Sequence, residues 1–258
     1  MTDAPNAPTP AVGPEPGAFA RLVGVFFSPG KTFESIARKP GWDWLVPVVL
    51  LMGLTLVGGI LINPKLDTDT AIKDTMKRIE SRGNISEAQK KQIQEGVEKQ
   101  FTAVKSGWVR FLGPVLVLVP LLFVPLFYLG IAKAFGAAKT YLPILAGYAY
   151  CQVPQMIKAI VALGVCYPRE SIDLNDAERI VKSSVGAFLD SSTTSKPLMS
   201  FLTSIDLFEI WGLALGSMMV SRTTRLSKNG ATAAVVSLWL LYVLVKVGGA
   251  ALGSMFGG

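Results

Sequence analysis

The chain has 258 residues, a formal net charge of +7, 50% hydrophobic and only 17% charged residues, with a mean hydropathy of +0.44. A soluble fold would have to hide far more apolar surface than usual, so a bilayer is the natural solvent. Histidine is absent and there are two cysteines, Cys151 and Cys166, which excludes His-based triads, the usual zinc ligand sets and a disulfide framework. The lysines and arginines are dispersed between apolar blocks rather than gathered on one domain, so the positive balance points to anionic head groups and not to nucleic acid.

Residues 1–20 form a proline-rich tail with no apolar run, expected to be disordered and not a signal peptide. From Arg21 to Lys39, Ser28 and Pro29 mark a helix start, and Phe33, Ile36 and Ala37 follow at helical spacing between charged residues. This is expected to be a short helix lying in the membrane interface or packed against the bundle end. The first span covers about 42–63, with Trp42 and Trp44 at head-group level. In the charged segment 64–107, Ile72, Met76 and Ile79 recur at helical spacing. Gly83 and Asn84 break the pattern, Ser86 with Gln89 forms a capping-box signature, and Ile93, Val97, Phe101 and Val104 resume it. A helical hairpin outside the hydrocarbon follows.

The second span, about 108–131, carries Pro114, Pro120 and Pro125, where kinks are expected. The third, about 141–166, holds Pro154, Gln152, Gln155 and Lys158. A polar interlude at 167–203 is predicted to contain a capped helix, with Asn175 and Glu178 at its start and Val181, Val185 and Phe188 as its stripe. The fourth and fifth spans run about 204–220 and 231–255. The expected fold class is therefore all-α: a polytopic bundle of about five transmembrane helices with an interfacial N-terminal helix and an extramembrane hairpin.

Charges at membrane depth are rare and usually paired or functional. Lys158, Glu209 and Lys246, with Asp206 nearby, lie below the ends of spans that face one side, the lysines roughly 12–14 Å down by helical rise. They are predicted to form one polar cluster. The alternatives are that Asp206 merely caps span four while the lysines snorkel, or that the residues line a conducting or substrate site. Gly212 with Gly216 and Gly249 with Gly253 have the spacing that lets helix backbones approach, here expected within the monomer. No phosphate loop, paired-cysteine metal motif or nucleophile elbow is present, so no catalytic, cofactor or metal residue is assigned.

Three separated pieces carry a family resemblance. They are Phe26-Phe27-Ser28-Pro29 with Phe33, Ile36 and Lys39-Pro40; Gly147-Tyr148-Ala149-Tyr150 leading to Val153-Pro154; and Asp206-Leu207-Phe208 with Trp211 and Gly216. Together with five spans they resemble landmarks of the Yip family, over about 21–254, in its bacterial form. That resemblance implies a cytosolic N-terminus, a multi-pass protein of the cell membrane (the inner membrane of a bacterium), and a non-enzymatic role in membrane organisation. Eukaryotic members are associated with Rab GTPases and vesicle traffic. The expected partners are membrane lipids, and a protein at the 64–107 hairpin or the 21–39 helix. The alternative function is a small transporter or channel component using the intramembrane charges.

Overall fold

Hydrocarbon offers no hydrogen bonds, so a spanning chain must satisfy its backbone internally, and α-helices do so within each segment. The structure, a computed structural model, describes residues 15–80, 86–105, 108–137, 140–190 and 193–255. Its helices are α1 (Ala18–Phe27), α2 (Pro29–Arg38), α3 (Leu45–Leu61), α4 (Thr68–Glu80), α5 (Glu87–Lys105), α6 (Val109–Leu116), α7 (Leu118–Ala134), α8 (Tyr141–Tyr150), α9 (Val153–Cys166), α10 (Lys196–Ser204), α11 (Leu207–Thr223) and α12 (Lys228–Met255). Two short strands, β1 (Leu66–Asp67) and β2 (Ile172–Asp173), pair in parallel.

The protein is an all-α polytopic membrane protein. Among the described residues, four helical stretches are long and apolar enough to cross a bilayer: Trp42–Lys65, Phe111–Ala134, Tyr141–Cys166 and Lys228–Ser254. Their outer faces are what lipid demands, with Phe123 57%, Phe127 55%, Leu244 68% and Val245 67% exposed. The helix α11 has 17 residues, about 25 Å of helix and the short limit for a span. It is continued by α10, and the pair lies along α12, with Gly216 against Val235 and Thr203 beside Lys246.

Prolines set where the passes break. A proline cannot donate to the carbonyl four residues earlier, and its ring crowds that carbonyl. Pro120 faces Leu116, the last residue of α6, and Pro154 faces Tyr150, the last residue of α8. The second and third passes are accordingly each two helices in tandem. The first break is a mild one, because Val117 N–H still reaches Gly113 O at 3.3 Å and Leu121 N–H reaches Val117 O at 3.4 Å.

Chain connectivity sorts the loops to two ends. At one end lie α1, α2 and the turns at 135–137 and 224–227: Arg222 pairs with Glu34, and Arg225 N–H donates to Ala137 O at 2.8 Å. At the other lie the hairpin and residues 167–190 and 193–203. There Lys65 Nζ donates to the Tyr167 and Cys166 carbonyls at 2.6 and 3.3 Å, capping the C-terminus of α9 with a cation. The hairpin has the predicted capping box: Gln89 N–H donates to Ser86 Oγ at 3.3 Å, and Ser86 N–H donates to Gln89 Oε1 at 3.1 Å. The expected break at Gly83 and Asn84 lies outside the described residues, as do the side chains of Ile79, Phe101 and Val104.

The N-terminal segment divides at Ser28. Phe33 and Ile36 of α2 are fully buried in the main core with Tyr150, Leu215, Met219 and Val220, so α2 packs against the bundle end. In contrast, α1 keeps Phe19 and Phe27 exposed, an apolar face suited to the interface. One difference from expectation concerns 174–188, where the chain makes 3-10 turns at Leu174–Arg179 and Val185–Phe188 in place of a capped helix. Its apolar residues Ala177, Ile180 and Val181 turn inward against α9 and α12, which a continuous helix would not permit while residues 183–185 pair with 205–207. The side chains of Asn175 and Glu178 lie outside the described residues.

Arg21 locks the entry. It is 3% exposed, and its Nη1 donates to both Asp43 carboxylate oxygens at 3.0 and 2.8 Å. Its Nη2 donates to Ser35 Oγ and to the Lys39 carbonyl, both at 3.1 Å. The Tyr150 hydroxyl donates to Asp43 O at 3.1 Å, so α1, α2, the start of the first pass and α8 share one polar knot. Removing one partner strands a buried charge. Asp43→Ala is therefore expected to lower the unfolding free energy in mild detergent by about 3 kcal/mol, and Arg21→Met in the same chain to recover part of it. A silent Asp43→Ala would show that the knot holds nothing.

Candidate functional site

The third pass and α11 run antiparallel. Gly147 abuts Met219 and Thr223 at one end, while Lys158 meets Asp206 at the other. Near this second end the α10–α11 pass is interrupted at Ile205 and Asp206, both outside helical geometry. The interruption exposes the first N–H groups of α11, and the Asp206 side chain takes them up: Oδ1 accepts from Phe208 N–H at 2.9 Å and Glu209 N–H at 3.4 Å. Oδ2 accepts from Lys158 Nζ at 3.1 Å and from the Ser183 hydroxyl. The carboxylate is 1% exposed, and every contact is a donor to a negative charge at a helix N-terminus.

A stretched segment completes the joint. Val185 N–H donates to Ile205 O and Leu207 N–H donates to Ser183 O, both at 3.0 Å, so residues 183–185 satisfy backbone groups that the broken helix leaves open. Only glycine fits at 186: a Cβ there would lie 2.7 Å from the Thr203 methyl and 2.9 Å from the Thr203 backbone nitrogen.

Beside the joint is a cavity of about 400 Å³, walled by α9, α12, α10 and the 177–181 turn. Lys158, Glu209 and Lys246 all line it. Gln155 Nε2 donates to Glu209 Oε1 at 2.9 Å, and Lys246 Nζ donates to Thr203 Oγ1 at 3.4 Å. Trp239 stands in the wall, and its indole N–H is buried without an acceptor among the described residues. The four charged residues singled out in the sequence thus lie around one space, with Asp206 joining it through Lys158. Asp206 is cap and ion-pair partner at once, where the sequence reading set these as alternatives.

Chemically, the arrangement binds and holds. A Lys158 ammonium donating to Asp206 has no lone pair with which to take a serine proton, and the Ser183 hydroxyl gives its own proton to the same carboxylate. Base and nucleophile are therefore not set against each other. Among the described residues no group of three or more Cys, Asp or Glu side chains could hold a metal ion. The glycine pairs divide: Gly216 packs on Val235 at 3.4 Å from an added Cβ, but at Gly212, Gly249 and Gly253 an added Cβ meets nothing within 4 Å. At those three positions an added side chain would meet no neighbour among the described residues.

Sequence reasoning missed Ser183, Thr203 and Trp239 as members of the site. Gln155 was within reach, since it stands three residues before Lys158 and shares its helix face. Ser183 carries no such signal, because its contact depends on a non-local pairing with the helix break.

Asp206 and Lys158 should not be equivalent. Lys158→Met removes one donor from a carboxylate that keeps three others, whereas Asp206→Ala removes the pair and the cap together. Asp206→Ala is expected to cost about 1–2 kcal/mol more than Lys158→Met, with Asp206→Asn between them because an amide oxygen still caps. Unfolding of the purified variants in mixed detergent measures the difference. Equal losses for Asp206→Ala and Lys158→Met would mean that the cap contributes nothing.

No curated protein and no solved structure matches the chain. A family match covers residues 23–249, nearly the whole sequence and all of the elements that build the cavity, under the description Yip1 domain. The chain belongs to the Yip1 family.

Proposed function

We propose that this protein is a non-enzymatic scaffold or adaptor that organises a cell membrane, inserted by five passes with its N-terminus in the cytosol. The observation that carries the reading is the division of labour inside the bundle. Its span-borne charges are used to hold joints, and the half away from the cavity is packed shut around Tyr150, Leu215, Met219 and Val220. A Cβ at Gly147 would lie 2.5 Å from Met219 Cγ, so the helices of that half approach closely. The hairpin α4–α5 and the apolar face of α1 are the elements offered outward, and they are the surfaces on which a protein partner and the lipid interface would act. The charge-rich short loops with Lys133, Arg222, Arg225 and Lys228 support a cytosolic position for the N-terminal end.

A transporter component is the second reading, favoured by one observation: the cavity carries both signs of charge. Reconstitution separates the two. Full-length protein in sealed vesicles is expected to give no flux of small cations, anions or amino acids above protein-free vesicles, while capture from native membranes returns a partner that is lost when residues 68–105 are replaced by a short linker. Flux that Glu209→Gln abolishes would overturn the scaffold reading.

Orientation has its own test. In a chain with Cys151 and Cys166 replaced by alanine, a membrane-impermeant maleimide applied to intact cells should label Ser86→Cys and spare Ser227→Cys, both exposed positions. Labelling of Ser227→Cys alone would invert the topology.

A further inference from the structure

Every side chain on the outward face of α1 is apolar. Phe19, Val23 and Phe26 recur there at helical spacing with Ala20 and Phe27 beside them, and Phe19 and Phe27 are 78% and 84% exposed. The one polar side chain of α1, Arg21, lies on the opposite face with Val25 and is buried in the knot with Asp43. The helix thus inverts the usual surface pattern, with its charge inside and its aromatic rings out. Water opposes so dense an apolar face, whereas hydrocarbon favours it.

Two observations say what covers this face, and the first is continuity. Phe26 meets Trp211 of α11 edge to face, with ring centroids 5.4 Å apart. On the adjoining turn of α11, Leu207 and Ile210 are exposed like the lipid-facing residues of the other passes. The outward face of α1 therefore runs on into the side of the bundle that lies in the bilayer. The second observation is charge. Each acidic residue described at this end is taken by an arginine: Asp43 by Arg21 at 2.8 Å, Glu15 by Arg38 at 3.8 Å, and Glu34 by Arg222. Lys31, Lys39, Lys133, Arg225 and Lys228 are left over, all exposed and none with an acidic partner among the described residues. They border the apolar face, since Lys31 stands one turn beyond Phe27, and a Cβ at Gly30 would lie 3.7 Å from Arg222 Nη2. A second copy of the chain would set its own five cations against these, whereas an anionic lipid surface complements them.

We infer that the outward face of α1 and these five cations form one docking surface for the leaflet at this end, and that it gathers anionic phospholipid around α1. The rings enter the acyl region while the cations meet the lipid phosphates. The inference rests on the lipid-facing role that the scaffold reading gives to α1, and adds a selection among lipids. Loss of that selection with partner capture intact would remove the inference alone, and failed capture with the selection intact would remove the scaffold alone.

The test uses the full-length chain with Cys151 and Cys166 replaced by alanine and a polarity-sensitive fluorophore on Phe27→Cys. It is reconstituted into vesicles of mixed phosphatidylglycerol and phosphatidylcholine in which one of the two lipids is brominated, so that quenching reports which lipid lies against the label. Phosphatidylglycerol is expected to associate at least about fivefold more tightly than phosphatidylcholine, the effect of roughly one cation at an anionic surface. The preference should fall towards one in about 0.5 M salt, because screening shortens the reach of exposed charges. Lys31→Gln combined with Arg225→Gln should lower it in the same way, and the salt titration decides the matter if that variant folds poorly. A label on Leu244→Cys, a lipid-facing position about 24 Å along α12 from Lys228, should show no preference. Equal quenching by the two lipids at Phe27→Cys, or a preference that salt leaves unchanged, overturns the inference. So does a label reached by aqueous iodide but not by brominated chains, or one shielded from both and self-quenching, which would put water or a second copy against α1.

Discussion

Asp206 sits where a membrane-embedded pass stops being helical, and the bundle depends on how that stop is resolved. A break between α10 and α11 leaves backbone N–H groups without intrahelical partners, in a setting where each unsatisfied group is costly. One carboxylate answers two of them and also draws in Lys158 from α9 and Ser183 from the connecting segment. The same group therefore fixes the start of α11, its register against the third pass and the position of residues 183–185. A purely apolar joint could do none of these, because it offers the donors of these separate elements no acceptor, and a charged acceptor holds them more strongly than a neutral one.

The cavity is a by-product of that joint. Once α11 is held to α9 by Lys158–Asp206 and by Gln155–Glu209, and α10 leans on α12, the space between α9 and α12 is bounded by polar groups on one side and by apolar residues on the other. At the opposite end α2 seals the bundle with Phe33 and Ile36, and among the described residues the Arg21–Asp43 knot leaves Arg21 Nε without a partner. The two ends are therefore built for different tasks, one closed and one holding a polar space, and this asymmetry is the structural content added to a family assignment that by itself names no activity.

Prolines contribute in a way that composition alone would read as damage. Pro120 and Pro154 break their passes four residues upstream, and the second break puts Tyr150 at the helix end, where its hydroxyl can reach Asp43. Such breaks are tolerated in membrane helices when neighbours re-satisfy the freed groups.

Much of the architecture was legible in the residues. Block lengths near a bilayer's thickness predicted the passes, the Ser86/Gln89 spacing predicted a capping box that the structure contains, and three short motifs carried the family. These signals are local: span length, cap spacing and proline position act through covalent geometry and the immediate helix, so a one-dimensional pattern holds them. Placing Lys158, Asp206, Glu209 and Lys246 on the same side was likewise a matter of counting along helices. Which carboxylate takes which ammonium was not, since Lys158 chooses Asp206 only because α9 and α11 meet in a particular register. The inward turn of Ile180 and Val181, the pairing of 183–185 with 205–207, the burial of Arg21 and the absence of close contacts at Gly212, Gly249 and Gly253 were decided by the tertiary structure alone. Each depends on elements far apart in sequence meeting in three dimensions, where satisfying the open backbone groups at Asp206 outweighed the local preference of 175–188 for a helix.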